Sequence, residues 1–280
     1  AGRDAGVRGE CLGAGGGAMV FPKGAYRFSG KVNVTHSSCS FVGDGMYSGT
    51  VLWYDGVGTG DFFDIASVNC TRFADMTIRS IAPNWNGFIA AVHNSGPGDP
   101  AGTVFERVNL SPGPAASGIN LDKSIITSVR DCWFNGGVVG ILGIASPGSY
   151  SNVVNVTGGM FANQSAGAVY IGGNAWTFKG VAFQQRSDGR GVAFVGDTGC
   201  TMPADATTFD GCWFGDSTVS GRDWISYFGH GLNVRGCQFQ ALAQDNCISL
   251  YNAKGFSVGG NVFYFAGAAI KYATAVNQAG

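Results

Sequence analysis

The chain has 280 residues, 45% hydrophobic and 12% charged, with 17 basic and 18 acidic side chains and a formal net charge of −1. Such a composition excludes a disordered segment, and a near-neutral chain without a basic cluster has no field to steer toward phosphate, which excludes nucleic acid as an expected partner. No window approaches the ~20 unbroken apolar residues of a membrane span, so membrane insertion is not expected either.

At the N-terminus, AGRDAGVRGECLGAGGGA lacks the basic start and apolar core of a signal peptide and begins without Met, so the chain is read as an excised domain. The 47 glycines follow no Gly-X-Y period and sit among Val, Ile and Phe, which predicts many strands and tight turns.

From residue 73 onward the chain repeats itself. Segments beginning at Phe73, Phe105, Val129, Val156, Phe178, Phe209, Val234 and Val258 share Phe or Val at position 0. Position +3 is small or apolar in most copies, with Asn261 in the last, and position +5 reads Ile78, Leu110, Phe134, Phe161, Phe183, Phe214, Phe239 and Phe263. The interval is about two dozen residues, a period that marks a solenoid. A second short strand follows most copies: GINL from Gly118, AVYI from Ala168, GVAFV from Gly191, ISYF from Ile225, CISL from Cys247 and AIKY from Ala269.

Strands of three to five residues joined by Gly or Asn bends at this interval predict an all-β fold, a right-handed parallel β-helix of about ten coils. Each column of residues then stacks on its counterpart ~4.8 Å away. Leucine-rich repeats would need a Leu/Asn ladder that is absent, and propeller blades would need longer periods. Positions 0, +3 and +5 point inward, +1 and +2 form the bend, and +4 points out. Phe134 to Phe263 are expected to form one continuous interior stack.

Of the eight cysteines, Cys132, Cys212 and Cys237 share the inward +3 column and are read as free buried thiols. An oxidised Cys212–Cys237 pair between neighbouring coils stays open. No Cys or His spacing supports a metal site, and His36, His93 and His230 are read as polar turn residues.

The runs GGGAMVFPKGAYRFSG (Gly15–Gly30) and SFVGDG (Ser40–Gly45) resemble the first coil of the pectate-lyase-like superfamily, most closely in the form taken by bacteriophage tailspikes and polysaccharide depolymerases. The resemblance implies a single domain over residues 1–280. In it, 1–14 are the remnant of an N-terminal cap or a linker, 15–55 the first coils and 56–280 the repeated coils. It also implies a bacterial surface polysaccharide as partner, cut by a glycoside hydrolase or a polysaccharide lyase, a parallel homotrimer, and a place in a phage virion tail or outside the cell. No cofactor is implied, except calcium if the chemistry is a lyase's. Of the polygalacturonase motifs only Gly-His-Gly is present, at Gly229, His230 and Gly231. A non-catalytic glycan- or receptor-binding fibre module and a secreted pectate-lyase-like enzyme remain open as alternatives.

Hydrolysis needs carboxyl groups ~5–9.5 Å apart, a range that one or two coil steps supply. Asp75 and Asp131 share column +2 with Arg107 between them, and Glu106 lies beside that column opposite Arg130. These groups form the densest predicted charged patch, read either as catalytic carboxylates or as solvated ion-pair ladders worth ~0–1 kcal/mol each. Asp122, Asp188 and Asp216 with Asp223 are further acids in turns. Sugar rings have apolar faces that stack on aromatic rings. The outward positions assigned to Tyr170, Phe194 and Tyr227, with Trp133 and Trp213 in column +4, therefore predict either a glycan-binding stripe or a subunit seam. Arg107 and Arg130 are candidate substrate ligands on the same surface.

Overall fold

The computed structural model describes residues 16–56, 58–94, 99–143, 150–184, 191–195, 204–218, 220–264 and 266–273, with the side chains of 191, 192, 194, 195 and 273 left out. The N-terminal stretch read as a cap remnant, and Asp188, lie outside these residues.

Every strand pairing is parallel and joins one coil to the next, so the chain winds as a right-handed parallel β-helix. Among the described residues, one sheet has ten strands, from Val32–Val34 to Ala268–Ala273. An eighteen-stranded sheet folds over a bend into a leading and a trailing ladder, which share the long strands Arg72–Ser80 and Val104–Ser111. Three two-residue strands, Gly173–Asn174, Ala204–Asp205 and Gly229–His230, make a small additional ladder.

The repeat frames read from the sequence are the structural registers. Position 0 runs Phe73, Phe105, Val129, Val156, Phe178, Phe209, Val234, Val258 through successive parallel pairs. Position +5 pairs Leu110 with Phe134, then Phe161, Phe183, Phe214, Phe239 and Phe263. Those six rings form one pile with centroids 4.4–5.3 Å apart and interplanar angles of 2–14°. Burying each ring is worth ~1.5–3 kcal/mol, so the pile is scaffold. Phe41, Phe73 and Phe105 stack the same way in the leading ladder.

The bend falls on position +2 alone, and +1 stays in the strand. All eight +2 residues have left-handed backbone: Asp75, Arg107 and Asp131 at φ 50–58°, then Gly158, Gly180, Gly211, Gly236 and Gly260 at φ 60–65°. That conformation is what glycine and short polar residues tolerate best, which is why the turn letters repeat. At position +3, Gly159 is needed for space as well: its φ is 77°, and a Cβ there would sit 2.0 Å from the Cys132 carbonyl oxygen.

Cys132, Cys212 and Cys237 are buried free thiols, so the open question of a Cys212–Cys237 disulfide is answered in the negative. Cys39 is disulfide-bonded, which the thiol reading did not anticipate.

Candidate functional site

The structure sorts the predicted site residues into three groups. In the first, on the bend, Arg107 Nε donates to Asp75 Oδ1 at 2.6 Å and Nη1 to Glu106 Oε1 at 2.5 Å, while Arg72 Nη2 donates to Glu106 Oε2 at 2.8 Å. Glu106 thus pairs with Arg72 and Arg107, and the expected Glu106–Arg130 ion pair is replaced, although the two residues are register partners. Hydrogen bonds from Arg72 and Arg107 hold the Glu106 carboxyl below its ordinary range. A carboxylate held this way is a poor proton donor, and the two guanidinium groups occupy its acceptor sites. Asp131 and Arg130 lie exposed one coil further on.

The second group is the aromatic stripe, which the register breaks. Tyr170 pairs with Phe194, but the next partner in that outward column is Ser226, whereas Tyr227 continues the inward column of Ile171 and Val195. Tyr227 is fully buried and its hydroxyl donates to the Ala204 carbonyl at 3.1 Å. Its assignment to a glycan-binding surface is therefore corrected: a one-residue slip in aligning ISYF moved the side chain to the wrong face. The Phe194 side chain lies outside the description. Trp133 is exposed and Trp213 half-buried on the outer face of the trailing ladder, with Asp216 beyond them accepting from Gln184 Nε2.

The third group forms around Asp122, through residues the sequence reading passed over. In the ten-stranded sheet Phe63, Ile65, Ala90, Val92, Ile119 and Leu121 fill the interior, so alternation turns Asp64, His93, Asn120 and Asp122 outward. Parallel register sets Asp64 beside Ala91, Ala66 beside His93, and His93 beside Asp122. The diagonal from Asp64 to His93 closes as a hydrogen bond between Oδ1 and Nε2, and Lys31 Nζ reaches Asp64 Oδ2 at 2.5 Å. Asn120 Oδ1 is buried without a hydrogen-bond partner. Asp61 accepts from the Phe88 backbone N–H at 3.0 Å.

Environment drives these groups apart. The hydrogen bond from His93, followed by that from Lys31, lowers the Asp64 carboxyl to about 2 against the opposing effect of burial. The same hydrogen bond raises His93, supported by the charges of Asp64, Asp61 and Asp122. Burial raises Asp61. Neighbouring titratable groups with divergent proton affinities are the usual ground plan for acid–base work. His93, read from the sequence as a turn residue, is the group best placed to move a proton. Its signal is present in the sequence: FDIA, AAVH and INLD in register bring Asp64, His93 and Asp122 to one face.

Towards the C-terminus the same outer face is closed, since Trp224, Ser226 and Ser249 are buried. Among the described residues no group of three or more His, Cys, Asp or Glu side chains is arranged to hold a metal ion. At Asp64 the Lys31 ammonium sits where a cation would bind. None of the described residues belongs to a helix long and apolar enough to cross a membrane.

No protein-family model matches the chain, and no curated protein matches it in sequence. Among solved structures, it is similar to the A-module of the mannuronan C-5 epimerase AlgE6 from Azotobacter vinelandii. The TM-score is 0.67 at 15% identity, covering 90% of this chain and 71% of that one. ORF18 of Geobacillus virus E2 gives a TM-score of 0.57 at 14% identity, with 92% of this chain covered and only 54% of the viral one. DFA-IIIase from Arthrobacter chlorophenolicus A6, solved with DFA-III, gives 0.54 at 13% identity over 90% of this chain and 75% of that one. At these identities the likeness establishes the shared parallel β-helix.

Proposed function

We propose that the protein binds an acidic bacterial surface polysaccharide along the outer face of the ten-stranded sheet and cleaves it by β-elimination. The site would lie at Lys31, Asp64 and His93. The observation that carries this reading is the His93–Asp64–Lys31 constellation on the outer side of the ten-stranded sheet. Two of the similar structures, an epimerase of mannuronan and an enzyme solved with DFA-III, agree with a saccharide substrate. The viral neighbour agrees with a virion tail or an extracellular setting.

Two-carboxylate hydrolysis needs one protonated acid and one free carboxylate. Asp64 is neither, because His93 and Lys31 already occupy its oxygens and hold it ionised. Elimination from a uronate needs a base for the proton next to the carboxylate and a positive charge to stabilise the resulting anion. His93, made more basic by Asp64, takes that proton. The electron pair closes the ring double bond as the glycosidic C–O bond breaks, and the proton passes from His93 to the leaving oxygen. Lys31 supplies the positive charge to the substrate carboxylate, so calcium is not required.

Incubation with acidic capsular polysaccharides tests the reading. Products absorbing as unsaturated uronates support it, and new reducing ends without that absorbance overturn it in favour of hydrolysis. Retention without cleavage identifies a binding module. Assembly as a parallel homotrimer is part of this proposal, and sedimentation of the intact chain checks it.

A further inference from the structure

We infer a second saccharide-binding subsite, specific for uncharged sugar units, on the outer face of the trailing ladder around Trp133. It lies on a different sheet from the acid–base cluster and does not depend on the elimination reading.

Three observations converge on it. First, a cavity of about 160 Å³ opens there, lined among others by Trp133, Asn135, Met160, Asn163 and Gln184, with no charged side chain in its lining. It is smaller than the ~300–1,000 Å³ clefts that engulf whole ligands. It therefore suits one sugar ring held against the surface while the rest of a chain lies along the coils. Second, Trp133 is 40% exposed and meets Tyr47, itself 51% exposed, edge to face at 5.4 Å. Tyr47 is fixed in place by its backbone N–H, which donates to Thr77 Oγ1 at 3.0 Å. Two rigid rings at right angles offer a wall and a platform to the C–H faces of a pyranose.

Third, the rim of the cavity carries amides and no charge. Thr77, Asn109, Trp133 and Met160 are successive register partners on this face, so Trp133 and Met160 stand side by side in the lining. The amides of Asn135 and Asn163, 3.5 Å apart, add donors and acceptors at the rim. Rings and amides without charge select neutral hydroxylated rings over uronates, opposite to the preference that Lys31 gives the other face.

The test is titration of the intact chain with three neutral tetrasaccharides, cellotetraose, maltotetraose and the β-1,4-linked N-acetylglucosamine tetramer, followed by calorimetry. Saturable binding of at least one, weakened about tenfold or more by Trp133→Ala or Asn135→Ala and unchanged by His93→Ala, is the expected result. Asn135→Ala, at an exposed position, keeps the test decisive should Trp133→Ala fail to fold. Absence of saturable binding to all three, or binding that Trp133→Ala and Asn135→Ala leave intact, overturns the proposal. Self-association of the chain that Trp133→Ala abolishes would assign the face to a second copy and overturns it equally.

Discussion

Asp64 and His93 sit one coil apart and two residues out of register, and their side chains meet diagonally across the surface of the ten-stranded sheet. The pairing ties the proton affinity of an imidazole to a carboxylate that Lys31 also neutralises, and it makes part of the protein's stability depend on pH.

For Asp64 the folded carboxyl is lowered to about 2, so its contribution is present above the ordinary carboxylate range near 4 and disappears as pH falls through about 2. Asp64→Asn is expected to cost about 1–2 kcal/mol at pH 7 and to approach the wild type below pH 2. His93 has the opposite sign: its folded value is raised, so its contribution is full below about 6.5 and is lost as pH rises through the folded value. Denaturant melts of the two single variants across pH 2–9 check both slopes.

The aromatic pile is a stability claim. Phe183 lies between Phe161 and Phe214 at 5.3 and 4.7 Å. Phe183→Ala is expected to cost about 3–5 kcal/mol, the range for emptying a buried aromatic site. An exposed ring in column +4, such as Trp133, should cost under about 1 kcal/mol on truncation. Chemical denaturation of both variants makes the comparison.

Gly159→Ala tests the tight packing between coils. Its φ of 77° and the 2.0 Å approach of a Cβ to the Cys132 carbonyl predict a loss of about 3 kcal/mol or more, or failure to fold. Gly180→Ala, with φ 61° and open space around a Cβ, should lose only about 1–2 kcal/mol. Equal losses at the two positions would refute the steric account.

Thiol chemistry follows burial. Cys70 is exposed, whereas Cys132, Cys212, Cys237 and Cys247 are buried and free. Burial pushes the Cys132 and Cys247 thiols up to about 12, and the hydrogen bond with Cys237, joined by burial, raises Cys212. Mass-spectrometric mapping with an alkylating reagent should label Cys70 in the native protein and the other four only on unfolding.

Much of this architecture was legible because a parallel β-helix writes its registers into the sequence as columns. The Phe ladder and the bend at +2 were readable from letters, since Phe recurs in six of the eight +5 positions and Gly in five of the eight +2 positions. The functional face was harder. Asp64, His93 and Lys31 occur once each in their columns, so no repetition marks them, and their meeting depends on a diagonal between coils. Tyr227 shows the converse: an alternating strand gives two faces, and the sequence of ISYF does not say which residue pairs with Phe194. The carboxylates that were visible, Asp75 and Glu106, stood out because the arginines that neutralise them made the patch dense.

The central claim is that His93 moves the proton. The direct measurement is the rate of unsaturated uronate formation from an acidic capsular polysaccharide by wild type, His93→Ala and Glu106→Gln. The account predicts a loss of about 10²-fold or more for His93→Ala, near-wild-type rates for Glu106→Gln, and a wild-type rate that rises with pH as His93 loses its proton. Undiminished product from His93→Ala, or activity that disappears in Glu106→Gln instead, would contradict it.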